Sequence, residues 1–278
     1  MSDWPRISIV TPSFNQAAFI ERTIQSVLNQ NYPNLEYIII DGGSTDGSVD
    51  IIKKYADKLT YWVSEKDNGQ THAINKGFRR ATGDIVAWLN SDDEYCQGAL
   101  KTAAKAFMAD KELDLVFGNS ITVDENGNIL RDARHTRFTF TALILYGMII
   151  SQPASFWRRR LFEKYGYLDE SLRFAMDYEF FCRIGAHIKA KHIRKHLAKF
   201  RRHSASKTCT IIHAGQQEHN QIRKKYLEEA CKGWPEKLAI LAVFTHRTFW
   251  YTVQGDGLYV LLGFCRRLLP KNLGPSLW

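Results

Sequence analysis

What this sequence lacks removes whole classes of protein. Proline occurs only seven times in 278 residues and no low-complexity tract interrupts the chain, while 45% of the residues are hydrophobic. Disordered and fibrous architectures are thereby excluded, and the chain can bury a sizeable core as one domain or, at most, two small ones. The five cysteines, Cys96, Cys182, Cys209, Cys231 and Cys265, form an odd, scattered set without a C-x-x-C pair. Such a set fits neither a disulfide framework nor a zinc knuckle, and it points to a reducing compartment. No basic leader followed by an apolar signal core precedes Ile7-Ser-Ile-Val-Thr11. A cytoplasmic location is therefore expected.

Charge of one sign is missing from part of the chain. Residues 1–100 carry 9 Lys and Arg against 13 Asp and Glu, whereas residues 101–278 carry 29 against 16. The stretch from Phe180 to Gln217 has nine Lys or Arg, five of the nine histidines, and no acidic residue at all. A basic surface of this kind suits an anionic membrane face or a phosphate-rich substrate. Nucleic acid ranks last, because no recognition motif of a nucleic-acid-binding family accompanies the charge.

Short runs rich in Ile, Val and aromatic residues at Ile7–Thr11, Leu35–Asp41, Leu59–Ser64, Asp84–Leu89 and Leu113–Gly118 predict buried strands. Between them, Gln16–Gln30, Ser48–Ala56 and Gln70–Ala81 place apolar residues at helical spacing. This alternation predicts an α/β domain with a mainly parallel sheet, in which ligands bind beyond the carboxyl ends of the strands. The segments just after the strands are polar and small: Thr11-Pro-Ser-Phe-Asn15, Asp41-Gly-Gly-Ser-Thr-Asp46, Glu65-Lys-Asp-Asn-Gly69 and Asn90-Ser-Asp-Asp93. Acidic groups thus collect at one sheet edge, where repulsion is unfavourable unless a cation or hydrogen-bond donors offset it. A divalent metal is expected there. Ser44 and Asp46 have the residue types of simple helix caps. Two strand-end carboxylates, Asp41 and Asp92, call for more than a cap.

At these residues the chain resembles the family-2 glycosyltransferases. Ile7-Ser-Ile-Val-Thr-Pro-Ser-Phe-Asn15, Gln30-Asn-Tyr-Pro-Asn-Leu-Glu-Tyr-Ile-Ile-Ile-Asp-Gly-Gly-Ser-Thr-Asp-Gly47, Ala73-Ile-Asn-Lys-Gly77 and Thr82-Gly-Asp-Ile-Val-Ala-Trp-Leu-Asn-Ser-Asp-Asp93 look like that family's successive motifs. The likeness is close over residues 6–120 and looser to about residue 205. It implies a glycosyltransferase-A fold: a mainly parallel central sheet flanked by helices, with a Rossmann-like nucleotide-binding half and a helical C-terminal extension. It also implies a nucleotide-sugar donor, expected to be a UDP-sugar, a divalent Mn²⁺ or Mg²⁺, and inversion at the anomeric carbon. The catalytic domain is expected at 1–205, with a donor half at 1–120 and an acceptor half at 121–205, followed by the extension at 206–278.

Carried over by position, the resemblance implies that Thr11, Pro12 and Asn15 line the nucleotide pocket and that Asp41 hydrogen-bonds the base. The family's Asp-x-Asp metal motif here reads Asn90-Ser91-Asp92, a departure at its first position. Asp92 matches the metal-coordinating carboxylate, while Asn90 offers only a neutral oxygen, suited to a ribose or sugar contact. Asp93 either contacts the donor sugar or caps a helix beginning near Gln97. In the second half, Gln152-Pro-Ala-Ser-Phe-Trp157, Phe162-Glu-Lys-Tyr-Gly-Tyr-Leu-Asp-Glu170 and Ala175-Met-Asp-Tyr-Glu-Phe-Phe-Cys-Arg-Ile184 resemble the acceptor-side segments. Asp177 matches the catalytic base, with an N-cap of the following helix as its structural alternative and Glu179 in reserve. His203 resembles the residue that closes over the diphosphate, or is a solvated side chain in a basic run.

The expected chemistry is a single displacement by a hexosyltransferase acting in polysaccharide biosynthesis. Asp177 takes the acceptor hydroxyl proton, and the metal on Asp92, helped by Arg201 or His203, offsets charge on the leaving phosphate. His187, His192 and His196 are at best one helix face, and Trp88, Phe107 and Phe117 belong to the core. In the tail, Leu238–Phe244, Thr248–Val253 and Leu258–Phe264 are apolar runs interrupted by His246, Arg247 and Asp256. None reaches the about 20 residues of a spanning helix. They suit either a peripheral helix in an anionic membrane interface, where a lipid-linked glycan acceptor would be met, or packing on the domain or a second copy. A nucleotidyltransferase would need a Gly-rich, basic phosphate loop after the first strand, which Thr11–Asn15 is not. A catalytically weak glycan-binding scaffold, motivated by Asn90, is the remaining rival.

Overall fold

The computed structural model describes residues 4–256 and Tyr259. Strand and helix alternate through β1 (Ile7–Ser13), α1 (Ile20–Leu28), β2 (Leu35–Asp41), α2 (Ser48–Lys54), β3 (Tyr61–Ser64), α3 (Gln70–Arg80) and β4 (Ile85–Trp88). There follow β5 (Glu94–Tyr95), α4 (Ala99–Ala109), β6 (Leu115–Val123), β7 (Ile129–Ala133), α5 (Phe140–Tyr146), β8 (Ser155–Arg158), α6 (Arg160–Tyr165) and α7 (Met176–Gly185). The described chain ends with β9 (Ala190–Arg201), α8 (Lys207–Thr210), α9 (Ile212–Cys231) and α10 (Glu236–Val253). Helix α1 starts later than its apolar spacing predicts. Asn15 takes a left-handed φ of 52°, and the residues after it are held in a turn by neighbouring loop side chains.

One sheet carries all these strands in the order β3-β2-β1-β4-β8-β6-β9-β5, with β7 on the far end of β6. The run β3-β2-β1-β4 is parallel, so four carboxyl ends meet at one edge. There Gly42 N donates to Ser13 O at 2.8 Å and Glu65 N to Asp41 O at 3.0 Å. Strand β8 then runs antiparallel to both β4 and β6, and β9 returns parallel to β6. All seven residues of β1 are buried, as befits a strand covered on both faces. Helix α3 approaches β1 so closely at Gly77 that an added methyl would overlap both methyls of Val10.

The core joins the two halves of the chain. Trp88 and Trp157 stack at 4.8 Å with 5° between planes, and Phe162 stacks on Phe180 at 4.6 Å. Trp88, Phe107 and Phe117 are all buried. Glu36, inside β2, is also buried, yet it accepts hydrogen bonds from Arg6 (3.0 Å), Thr82 N (2.7 Å), Thr82 Oγ1 (2.9 Å) and the Ser8 hydroxyl. Burial alone would raise its pKa, but these donors bring the carboxyl below its ordinary value.

His192 and His196 lie on strand β9, not on a helix face, and His187 precedes it. A 2.9 Å contact joins His192 to Asn119, and a 2.6 Å contact joins His196 to Asp132. The tail helices pack back on the domain, α9 against α5 and α7, and α10 against α5. On α10, Ala239, Val243 and Tyr251 face inward, while Leu238, Leu241, Phe249 and Val253 are exposed, as is Trp234 just ahead of it. Among the described residues no helix is long and apolar enough to cross a membrane. The run Leu258–Phe264, apart from Tyr259, lies outside the described residues.

Candidate functional site

A cavity of about 1250 Å³ opens where the parallel strands end, and both halves of the chain line it. Its first wall holds Pro12, Gly42, Asp67 and Gly69. The Asp67 carboxylate lies 2.8 Å from where a Gly42 Cβ would be, so a side chain at 42 would push the Asp67 carboxylate aside. Of Thr11, Pro12, Asn15 and Asp41, Pro12 alone lines the cavity. Successive residues of a strand face opposite ways, and Thr11 points into the core, its hydroxyl 3.1 Å from Tyr37 Oη. Asn15 bridges loops: its side-chain oxygen accepts from Thr45 N at 2.9 Å, and its own N–H donates to Ser44 Oγ at 2.8 Å.

Asp41 is fully buried and organises the loop after β2. Its carboxylate accepts from Gly43 N (3.1 Å), Ser44 N (2.9 Å), Ser44 Oγ (2.5 Å) and Ser64 Oγ (2.7 Å). A base contact would have to displace one of these donors. Asp46 combines a helix-start role with a loop tie, accepting from Ser48 N at 3.0 Å and from Ala17 N at 2.9 Å.

The segment Asn90–Asp93 forms the cavity's acidic centre, with Asn90, Ser91 and Asp92 at its surface. Asn90 accepts from Gln70 Nε2 at 2.7 Å and donates to Asp93 Oδ2 at 3.2 Å. An aspartate at 90 could not make that donation and would add a third charge to Asp92 and Asp93, which accounts physically for asparagine at this position. Asp93 is buried and outside the cavity lining. It does not cap α4, whose N-cap is Gly98. Instead it accepts from Arg201 N at 2.9 Å. Burial first, and the neighbouring Asp92 charge second, push its pKa well above the ordinary value.

His203 is not solvated. Only 8% exposed, it packs against the Phe19 ring at 4.6 Å and sets Nε2 3.1 Å from Asp92 Oδ2. Arg201, by contrast, is 1% exposed and spends four of its five guanidinium N–H donors inside the protein. It bonds Asp92 O (3.0 Å), Asp124 O (2.8 Å), Glu125 O (3.2 Å) and the Glu94 carboxylate. Its neighbour Arg202 lines the cavity and has no side-chain partner among the described residues.

Asp177 lines the opposite wall. It is the second residue of α7, where it accepts from Tyr178 N at 2.8 Å and is not the N-cap. Burial raises its carboxyl to about 6, against the lowering pull of that N–H and of Lys207. Glu179 turns away into a bidentate pair with Arg183 at 3.1 and 2.8 Å, which removes it as a reserve base. Sequence motifs give no hint that α9 also lines the cavity, through Gly215, Gln216, His219 and Arg223.

Among the described residues no three or more His, Cys, Asp or Glu side chains are grouped to hold a metal by themselves. Asp92 and His203 nevertheless present one oxygen and one nitrogen side by side, a donor pair suited to Mn²⁺, or to Mg²⁺ through the carboxylate, completed by substrate phosphates.

The curled mixed sheet with its cavity at the strand ends is a glycosyltransferase-A fold. Residues 8–183 match the model of glycosyl transferase family 2, and the chain belongs to that family. It is 34% identical over 145 residues to TuaG of Bacillus subtilis strain 168, a glycosyltransferase provisionally assigned to teichuronic acid biosynthesis. That match covers 51% of this chain and 57% of TuaG. S. aureus TarS 1–349 in complex with UDP-GlcNAc superposes with a TM-score of 0.64 at 20% identity, over 88% of this chain and 72% of that one. The mannosyltransferase PcManGT of Pyrobaculum calidifontis, in complex with GDP-Man and Mn²⁺, gives 0.57 at 18% identity, over 96% and 88%. At such identities the two structures speak for the fold alone.

The bonding of the two adjacent arginines predicts opposite effects. Arg201→Met should destabilise the protein by about 2–4 kcal/mol, because it leaves three carbonyls without their donor and the half-buried Glu94 carboxylate with Lys199 alone. Arg202→Met should stay within about 0.5 kcal/mol of the parent. Urea denaturation of both variants decides this, and equal midpoints would refute the structural role given to Arg201.

Proposed function

We propose that the chain transfers a hexose from a nucleotide-sugar donor to a hydroxyl of a glycan or lipid-linked acceptor, with inversion, in cell-surface polysaccharide biosynthesis. The observation that carries this reading is Asp177: a carboxyl raised to about 6, unpaired with any cation, on the wall of a cavity whose other wall holds Asp92. A carboxylate so tuned is basic enough to accept a proton and still ionised at neutral pH. As the acceptor oxygen bonds to the anomeric carbon, its proton passes to Asp177 and the carbon–phosphate oxygen bond breaks on the opposite face.

Asp92 and His203 would hold a divalent cation, which supplies stabilisation of charge on the leaving diphosphate. Arg202, the unpaired guanidinium at the cavity, takes the supporting place that the sequence suggests for Arg201. A nucleotide-sugar donor is supported in general by the UDP-GlcNAc of TarS and the GDP-Man of PcManGT, and a metal by the Mn²⁺ of PcManGT; uridine is our choice of base. Because Asn90 is accounted for by its bond to Asp93, the inactive-scaffold alternative loses its motive. The catalytic unit extends past residue 205, since α9 lines the cavity.

A peripheral membrane contact fits the exposed apolar stripe on α10 and the exposed Lys232 and Lys237 near its start. Salt-sensitive sedimentation with anionic vesicles is the expected behaviour, and no sedimentation at low salt would exclude it.

The donor reading predicts that UDP with Mn²⁺ raises the melting temperature, since a ligand bound only to the folded state stabilises it. Asp92→Ala should abolish the metal-dependent part of the shift. Unchanged Mn²⁺ dependence would move the metal elsewhere.

For Asp177→Asn, nucleotide affinity should match the parent while transfer falls by a factor on the order of 10² to 10⁴. Because folding raises this carboxyl's pKa, its charged form is disfavoured in the fold at neutral pH, and Asn should fold at least as stably. In the parent, kcat/KM should decline as pH falls through about 6, where Asp177 becomes protonated. Near-normal turnover of Asp177→Asn removes it from the mechanism.

A further inference from the structure

Helix α9 begins 29 residues after the family match ends at residue 183, yet it grips the segment that carries Asp177. The Glu218 carboxylate accepts from three consecutive backbone N–H groups: Arg173 N at 2.9 Å, Phe174 N at 3.0 Å and Ala175 N at 2.8 Å. Ala175 is the N-cap residue of α7 and makes no side-chain cap bond of its own. Glu218 therefore caps α7 from another helix at Ala175 N, a donor the helix end leaves open, and holds the two N–H groups of the turn before it. Opposing its burial, these bonds hold its carboxyl below the usual range, so it is ionised whenever Asp177 is.

Three neighbours complete the grip. Three residues before Glu218, Gly215 has no room for a side chain, because a Cβ there would meet the Phe174 ring. His219 stacks on Tyr178, the residue after Asp177, at 4.2 Å and 16°. Lys207 Nζ donates to Arg173 O at 2.9 Å. Asp177 itself takes its hydrogen bond from Tyr178 N, with no side-chain partner among the described residues. Its one hydrogen bond is thus to its own segment, and the 173–175 backbone ahead of it is held from α8 and α9.

We infer that Glu218 is a positioning residue for the transfer reaction, holding Asp177 at the cavity wall through the 173–175 backbone. The inference rests on the reading of Asp177 as the base. The titratable groups that face Asp177 or Glu218 from the packed elements are Lys207 on α8 and His219 on α9, whose imidazole burial keeps toward the neutral form.

The test is Glu218→Gln. The amide keeps the size of the carboxylate but turns an N–H₂ toward one of the backbone donors, so the three-fold bond cannot persist. A displacement of the base of about 1 Å lowers kcat by up to about 100-fold. We expect a loss of about 10- to 100-fold in kcat with donor KM unchanged. As the loosened segment admits water to Asp177, the acid limb of the kcat/KM profile should move below its parent position near 6. The double variant with Asp177→Asn should be no slower than Asp177→Asn alone.

Parent-like kcat and acid limb in Glu218→Gln, with Asp177→Asn inactive, would overturn the positioning role and leave the proposed function standing. Losses that multiply in the double variant would show a role independent of Asp177 and overturn it equally. Normal turnover by Asp177→Asn would instead sink the reading on which both rest. Should Glu218→Gln fail to fold, Glu218→Asp, which keeps the charge but shortens the reach, is put through the same measurements with a smaller expected loss.

Discussion

Everything at the cavity depends on how one buried cluster of charge is neutralised. Asp92, Asp93 and Glu94 are consecutive, and Asp93 has no exposure to solvent at all. Burying such a run is unfavourable unless cations and N–H donors surround it. Arg201 and His203 supply them from 108 and 111 residues away. Because Arg201 also holds the carbonyls of Asp92, Asp124 and Glu125, a single guanidinium ties the loop after β4 to the β6–β7 turn and to the end of β9. The acidic centre, that turn and the end of β9 are parts of one fixed frame.

The loops after the other strands are held by the same device at lower charge. Asp41, Asp46 and Asn15 spend their polar atoms on neighbouring backbone and hydroxyl groups, which leaves Pro12, Gly42 and Asp67 to face the cavity. A buried carboxylate such as Asp41 that accepts several hydrogen bonds stiffens its loop, since each lost donor would leave an unsatisfied group. A site assembled from strand-end loops thus acquires the rigidity of the sheet.

Asp177 stands apart from this economy of bonds. It keeps a raised pKa because burial is not matched by a cation, and it keeps its direction because α9 pins the turn ahead of α7. Family membership accounts for residues 8–183, whereas the pinning comes from a helix outside that span.

Most of the fold is legible in local sequence. β-Branched runs of four to seven residues and 3.6-residue spacing identify β1 to β4 and α1 to α3, because strand and helix periodicity depend on neighbours in the chain. Asp92 and Asp177 are legible for a similar reason, since motif and residue type travel together. Tertiary structure alone decided that Thr11 faces Tyr37 while Pro12 faces the cavity, that Arg201 is bonded internally while Arg202 has no side-chain partner among the described residues, that His192 and His196 sit on a strand, and that Glu218 caps the helix of Asp177. Each of these is a choice of partner across tens of residues, and no local pattern encodes which distant donor will arrive beside a given acceptor.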